Sequence, residues 1–291
     1  MIVEVREERK QRSTVMLFIS FDLVNCTLYK SMYKGNWVSG VSNVLEHIMH
    51  VFVNSKVGGY RFWKMLGDEV VYTRKIEKVE EIDEVVAAVY DTVVDINHKI
   101  KSGQIGDSST AEILAVKATV WIADISPAEL CADNIYVEYE INKNELRAEY
   151  LGTDIDSGFR IAQYTSENRV VISSDLAALF LKEESLRKDF HKINFVGFRN
   201  LKGIWHGDPY PIFMYHGDET VSFRDSIVDT SNPKAAILKE YVEQLPYRAV
   251  VDSYISYEEQ LLTTLYNEDS LSREIEQLTG IMEKFKEKNI H

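Results

Sequence analysis

The segment Thr14 to Asp22, TVMLFISFD, is the most restrictive stretch of this chain, because it is almost wholly apolar, has the length of a strand and ends in an acid. A half-buried strand alternates apolar with polar residues, whereas a continuous apolar run belongs to a strand covered on both faces. The chain must therefore bring structure to each side of this strand, and chemistry can sit where it ends. Beyond it, Leu28 to Lys34 and Val38 to Val53 have helical spacing, with Val41, Val44, Leu45, Ile48 and Phe52 on one stripe. After the Gly58-Gly59 breaker, Arg61 to Lys64 and Glu69 to Tyr72 read as the arms of a hairpin, and Gly67-Asp68 takes its tip. As a turn, Gly67-Asp68 needs no further role. At a tip held by two buried arms, it also offers a carboxylate to a cation.

Glu80 to Ile100 is an amphipathic helix carrying Ile82, Val85, Val86, Val89, Val93 and Ile96, and Ser102 to Ser109 reads as loop. Ile113 to Ile125 is strand-like, and Asn134 to Ile141 has the period of a half-buried strand. Gly152 to Tyr164 looks helical, Arg169 to Ser173 is a short strand, and Ser174 to Leu181 is a helix with Ser174 or Asp175 as its cap. Phe195 to Trp205 and Pro211 to Tyr215 pair around Leu201-Lys202-Gly203. The order β-α-β-β-α-β, then further helices and strands, describes an α+β domain on a ferredoxin-like core. From Ser231 the texture changes: after Asn232-Pro233 come helix-like stretches at Lys234 to Gln244, Tyr257 to Tyr266 and Leu271 to Lys286. The expected division is a domain over residues 1–230 and a C-terminal helical extension over residues 231–291.

A net charge of -13 excludes a general nucleic-acid binder, so a polyanionic substrate would need cations supplied by the site itself. The two cysteines, Cys26 and Cys131, lack a second Cys or paired His at ligand spacing, which fits a reducing compartment and neither a disulfide framework nor a zinc site. Met1 to Ser13 is charged where a signal peptide needs an apolar core, and no run reaches membrane-spanning length. A cytoplasmic protein, without membrane contact, is expected.

If their strands are neighbours, Asp22 and Asp68 face each other, and two such carboxylates repel unless a cation lies between them. Hard cations such as Mg²⁺ favour one or two protein carboxylates completed by phosphate oxygens and water. Thr27 opens a helix whose exposed N–H groups can hold phosphate.

Four motifs, Phe21-Asp22-Leu23-Val24-Asn25-Cys26-Thr27, Lys64-Met65-Leu66-Gly67-Asp68, Gly152-Thr153-Asp154-Ile155-Asp156-Ser157-Gly158-Phe159-Arg160 and Leu201-Lys202-Gly203, resemble in order and spacing those of the class III nucleotidyl cyclases. The resemblance spans about Thr14 to Tyr215. It implies intramolecular phosphoryl transfer, in which the 3′-hydroxyl of a nucleoside triphosphate attacks its own α-phosphate and expels pyrophosphate. Asp22, Leu23 and Asp68 would form a site for two Mn²⁺ or Mg²⁺ ions, and the backbone through Asn25, Cys26 and Thr27 would cradle phosphate. Arg160 matches the arginine that steadies charge on the α-phosphate, and Lys202 the lysine that meets the triphosphate. Taken singly, a surface arginine and a strand-edge lysine have the ordinary alternative of solvated charges.

The chain departs from the family at three positions. Cys26 replaces a phenylalanine. Asp156 stands where the ribose-positioning asparagine is usual, which adds a negative charge that Arg160 or a lysine must neutralise. Lys64 keeps the place of a base-reading lysine, but its acidic counterpart is Glu149 instead of aspartate, and the longer acid suits a smaller base lying deeper. This combination is most similar to the pyrimidine cyclases of Pycsar anti-phage systems, which implies CTP or UTP as substrate, a homodimer with shared sites, and a separate effector that responds to the cyclic nucleotide. An adenylate or guanylate cyclase is the alternative enzyme, since Lys64 is retained. An inactive cyclase-like binding module is the alternative from another class.

Overall fold

The computed structural model describes residues 13–53, 58–130, 132–142 and 145–217. The helical extension expected over residues 231–291 lies outside them. Strand β1, Thr14–Val24, is central: β3, Glu69–Lys75, pairs with it antiparallel on one side, and β4, Ala115–Pro127, antiparallel on the other. β2, Tyr60–Leu66, pairs with β3 through the expected hairpin. Between these strands run α1, Cys26–Met32, α2, Trp37–Val53, and α3, Glu81–Lys101. The order β2-β3-β1-β4 is the ferredoxin-like arrangement that the alternation of elements predicts. Past β4 the sheet continues through β7, Val170–Ile172, and β9, Pro209–Tyr215, to β8, Ile193–Asn200.

The apolar run of β1 is explained by cover on both faces. Its odd positions, Leu17, Ile19 and Phe21, share a core with Val44, Ile48 and Phe52 of α2 and with Val85, Val89 and Val93 of α3. On the even face, Met16 and Phe18 pack with Val71, Trp121 and Ile155, the last carried by α5, Thr153–Ile161. Further along that same even face the row changes to Ser20 and Asp22, so the apolar cover gives way to polar side chains where the strand approaches its end.

Several local features differ from expectation. A short helix, α4, Ser108–Ile113, begins inside the segment read as loop; Asp107 caps it by accepting from the Thr110 N–H at 3.0 Å. The half-buried strand β5, Asn134–Asn142, has an unanticipated partner in β6, Glu145–Gly152, whose mixed composition hides the alternation. Gly152 ends β6 with φ 150°, and Asp133 and Asn134 pack so close that a Cβ there would meet their backbone. Helix α6, Ser174–Lys182, is capped one residue earlier than expected, by Ser173. No helix among the described residues is long and apolar enough to cross a membrane.

Candidate active site

Strand register assembles the first cluster. Asp22 stands opposite Glu69 of β3 and opposite Lys117 of β4, so three charged side chains lie in a row across adjacent strands on one face. Lys117 Nζ is 3.1 Å from Asp22 Oδ2 and donates to the Ala162 carbonyl at 3.5 Å. Ser20, two residues before Asp22 on the same face, donates its hydroxyl to Glu69. Asp68, in the β2–β3 turn, meets Lys30 of α1, whose Nζ lies 3.4 Å from Oδ1.

These carboxylates act on one another. Burial pushes Asp22 above its ordinary range, Lys117 opposes the shift, and the charge of Asp68 adds to it. Burial also raises Glu69, against the Ser20 hydrogen bond, with Asp22 and Asp68 adding. The charge of Asp68 thus acts on Asp22, while Lys117 and Lys30 balance the two acids. The donor set fits a hard divalent ion: two carboxylates, with the Leu23 N–H already donated to Asp22. Among the described residues no group of three or more His, Cys, Asp or Glu side chains is placed to hold a metal ion.

Beside this cluster the chain turns from β1 into α1 through Asn25, which takes a left-handed conformation at φ 62° and donates its side-chain amide to the Ile113 carbonyl at 3.2 Å. Cys26 is buried beneath the turn and Thr27 is exposed. Burial, then the neighbouring Asp68 side chain, pushes the Cys26 thiol up to about 11.

The second cluster joins the hairpin to β6. Lys64 Nζ lies 2.5 Å from Glu149 Oε2 and 4.0 Å above the Trp63 ring. Trp63 is fixed by its indole N–H, which donates to the Ala148 carbonyl at 3.2 Å, and by edge contacts with Phe18 and Tyr150. Both partners of the ion pair are about one-quarter exposed, so the pair presents a donor and an acceptor at an open surface.

The third cluster lies on α5 and the β8–β9 connection. Arg160, in the last turn of α5, reaches the Leu201-Lys202-Gly203 loop, with Nη2 4.0 Å from the position a Cβ of Gly203 would occupy. Its Nε is buried and has no hydrogen-bond partner among the described residues. Lys202 and Asp156 are exposed. The structure therefore sets Asp22 opposite Glu69 instead of Asp68, which lies one residue away in the turn, and brings Lys64 to Glu149 and Arg160 to the Lys202 loop. Sequence reasoning passed over Lys117, Lys30 and Glu69. A lysine inside the apolar run of β4 and an acid directly after Asp68 were the available signals.

No protein-family model and no curated protein matches the sequence. Among solved structures, the fold is that of class III nucleotidyl cyclase catalytic domains. The adenylyl cyclase CyaB from P. aeruginosa is similar with a TM-score of 0.53 at 11% identity, over 72% of this chain and 97% of that one. A bacterial light-regulated adenylyl cyclase is similar with a TM-score of 0.52 at 10% identity, over 71% of this chain and 53% of that one. At such identities the likeness carries the fold, and residue roles rest on the site.

Proposed function

We propose that this chain is a metal-dependent pyrimidine nucleotide cyclase, converting CTP or UTP into 3′,5′-cyclic CMP or cyclic UMP and pyrophosphate. Its product would act as a second messenger in bacterial anti-phage defence, read by a separate effector. The observation that supports cyclisation most directly is that Asp22, near the end of β1, stands opposite Glu69, which brings Asp68 of the adjoining turn beside it. The pyrimidine assignment rests on the sequence resemblance and on Glu149, which brings a longer acid to Lys64.

In the reaction the O3′–Pα bond forms, the bond from Pα to the bridging oxygen of Pβ breaks, and the 3′-hydroxyl loses its proton. Two Mn²⁺ or Mg²⁺ ions, when bound, supply Lewis acidity toward the hydroxyl and the triphosphate. Asp22 and Asp68 would hold them, with the Leu23 backbone alongside. The turn through Asn25, Cys26 and Thr27 borders the phosphates. Arg160 stabilises charge on the α-phosphate and Lys202 meets the triphosphate. Lys64 donates to a ring-edge acceptor, Glu149 accepts from a ring-edge donor, and Asp156 faces the ribose, its charge offset by Arg160. In a head-to-tail homodimer, Asp22 and Asp68 of one subunit work with Lys64, Glu149, Arg160 and Lys202 of the other.

Incubating purified protein with each of the four ribonucleoside triphosphates and Mn²⁺, and identifying products by mass, tests this reading. Cyclic CMP or cyclic UMP is expected. Product from ATP or GTP alone would replace it with a purine cyclase, which the retained Lys64 favours as the second reading. No product from any nucleotide, with phage extract also tried, would leave a binding module.

A further inference from the structure

Each acid assigned to metal already has a lysine of its own chain against it. Lys30 reaches Asp68 from α1, passing over the Trp37 ring at 5.3 Å from its centroid. Lys117 reaches Asp22 from β4, steadied by the Ala162 carbonyl. Two carboxylates are thus matched by two ammonium groups before any ion arrives. A divalent ion at Asp22 and Asp68 competes with both lysines for the same oxygens, and once bound it repels them. A triphosphate then offers the released ammonium groups a new anionic partner.

We infer that Lys30 and Lys117 are exchangeable counter-cations that couple ion binding to triphosphate binding in this chain. They hold the carboxylates while the site lacks phosphate, so a bare ion binds weakly. They pass to phosphate oxygens when the substrate arrives with its ion, so the complex binds tightly. The inference rests on the proposed function for the ion at Asp22 and Asp68. Because coupling is reciprocal, the same exchange makes triphosphate bind weakly without the ion.

The test is the sign of two affinities, measured on the full chain by calorimetry with Mn²⁺ alone and with a preformed complex of Mn²⁺ and inorganic triphosphate, which carries no base. Lys30→Met should bind bare Mn²⁺ about threefold tighter, as expected for a partly exposed ion pair. Lys117→Met should bind it about tenfold tighter, its pair being less exposed and charge-assisted. Both variants should bind the Mn²⁺–triphosphate complex more weakly than wild type, while Lys30→Arg stays close to wild type in both titrations. A merely structural lysine would shift both affinities the same way. That result, or no change in either variant with the melting temperature preserved, overturns the exchange and leaves the cyclase reading standing. A wild-type protein that binds Mn²⁺ neither alone nor with triphosphate overturns both.

Discussion

Substituting Gly158 by alanine sets two well-characterised effects against each other, and the sign of the outcome reports how α5 sits on the sheet. Gly158 lies within α5, where alanine would ordinarily stabilise a helix by about 1 kcal/mol. Here the helix lies directly on Trp121, and a Cβ would fall under 3.0 Å from three atoms of its indole, where carbon atoms prefer about 3.5–4.0 Å. Trp121 is fully buried and stacked on Phe18 at 5.5 Å between centroids, so the ring has no room to yield. Overpacking of this kind costs about 1–3 kcal/mol. In a domain of this size that alone would lower the melting temperature by about 2–12 °C, against a rise of about 2–4 °C from helix propensity, so the net is a fall of up to about 8 °C. Because α5 also carries Asp156 and Arg160, lifting it by about 1 Å should reduce cyclisation by up to about a hundredfold. Thermal denaturation of Gly158→Ala, Trp121→Leu and the double variant forms the assay. The smaller leucine should restore part of the loss, giving a favourable coupling energy. A Gly158→Ala protein more stable than wild type would refute the close approach of α5 to Trp121.

Asp22→Asn and Asp68→Asn should each reduce product formation by at least about a thousandfold while leaving the fold intact by circular dichroism. Mixed Asp68→Ala and Lys64→Ala subunits, each impaired alone, should regain partial activity through heterodimers with one intact site; no recovery despite proven subunit exchange would count against shared sites. Glu69 has a raised pKa in the folded protein, so the fold binds its proton more tightly than the unfolded chain, and its charge costs stability as pH rises from the ordinary carboxylate range through the raised value. In chelator, Glu69→Gln should therefore match wild type near pH 4 and exceed it by about 2 °C at neutral pH, read from melting temperature against pH. The Cys26 thiol, pushed up to about 11, should resist iodoacetamide at pH 8 in the native protein and react on unfolding, as peptide mass spectrometry would show.

The central strands were legible because their residues carry the period and the composition of their surroundings. The β1 run announces cover on both faces, and the stripe of α3, from Ile82 to Ile96, is buried throughout. The hairpin was legible from Gly67-Asp68 between apolar arms. β6 was not, because Glu145 to Gly152 mixes charged and apolar residues and acquires strand geometry only by pairing with β5. Asp22 was found as the acid near the end of a buried strand; Asp68 was found at the hairpin tip, but only its β3 arm is buried, the expected burial of β2 giving way to an open face at Phe62, Met65 and Leu66. Lys117 escaped because its partner lies on another strand, and only the register of β1 with β4 sets it beside Asp22. Lys30 escaped for a similar reason, since the hairpin tip must fold back onto α1 before the pair exists.

The way β5 and β6 join the molecule bears on how a nucleotide preference could change. This ribbon meets β4 at only two register positions, Ser126 with Ile135 and Pro127 with Tyr136, yet it carries Glu149 and runs straight into α5. Asp22 lies in β1, a strand paired along its length, and Asp68 in the turn of the hairpin whose Trp63 and Lys64 hold Ala148 and Glu149 of the ribbon. On the proposed reading, the base contact of Glu149 would be carried by a ribbon with few ladder bonds, joined to the phosphate-handling acids through the hairpin. If that reading holds, drift in the ribbon would retune base acceptance through Lys64 and Glu149 while Asp22 stays fixed in β1, which makes the β5–β6 ribbon a natural segment to exchange in tests of specificity.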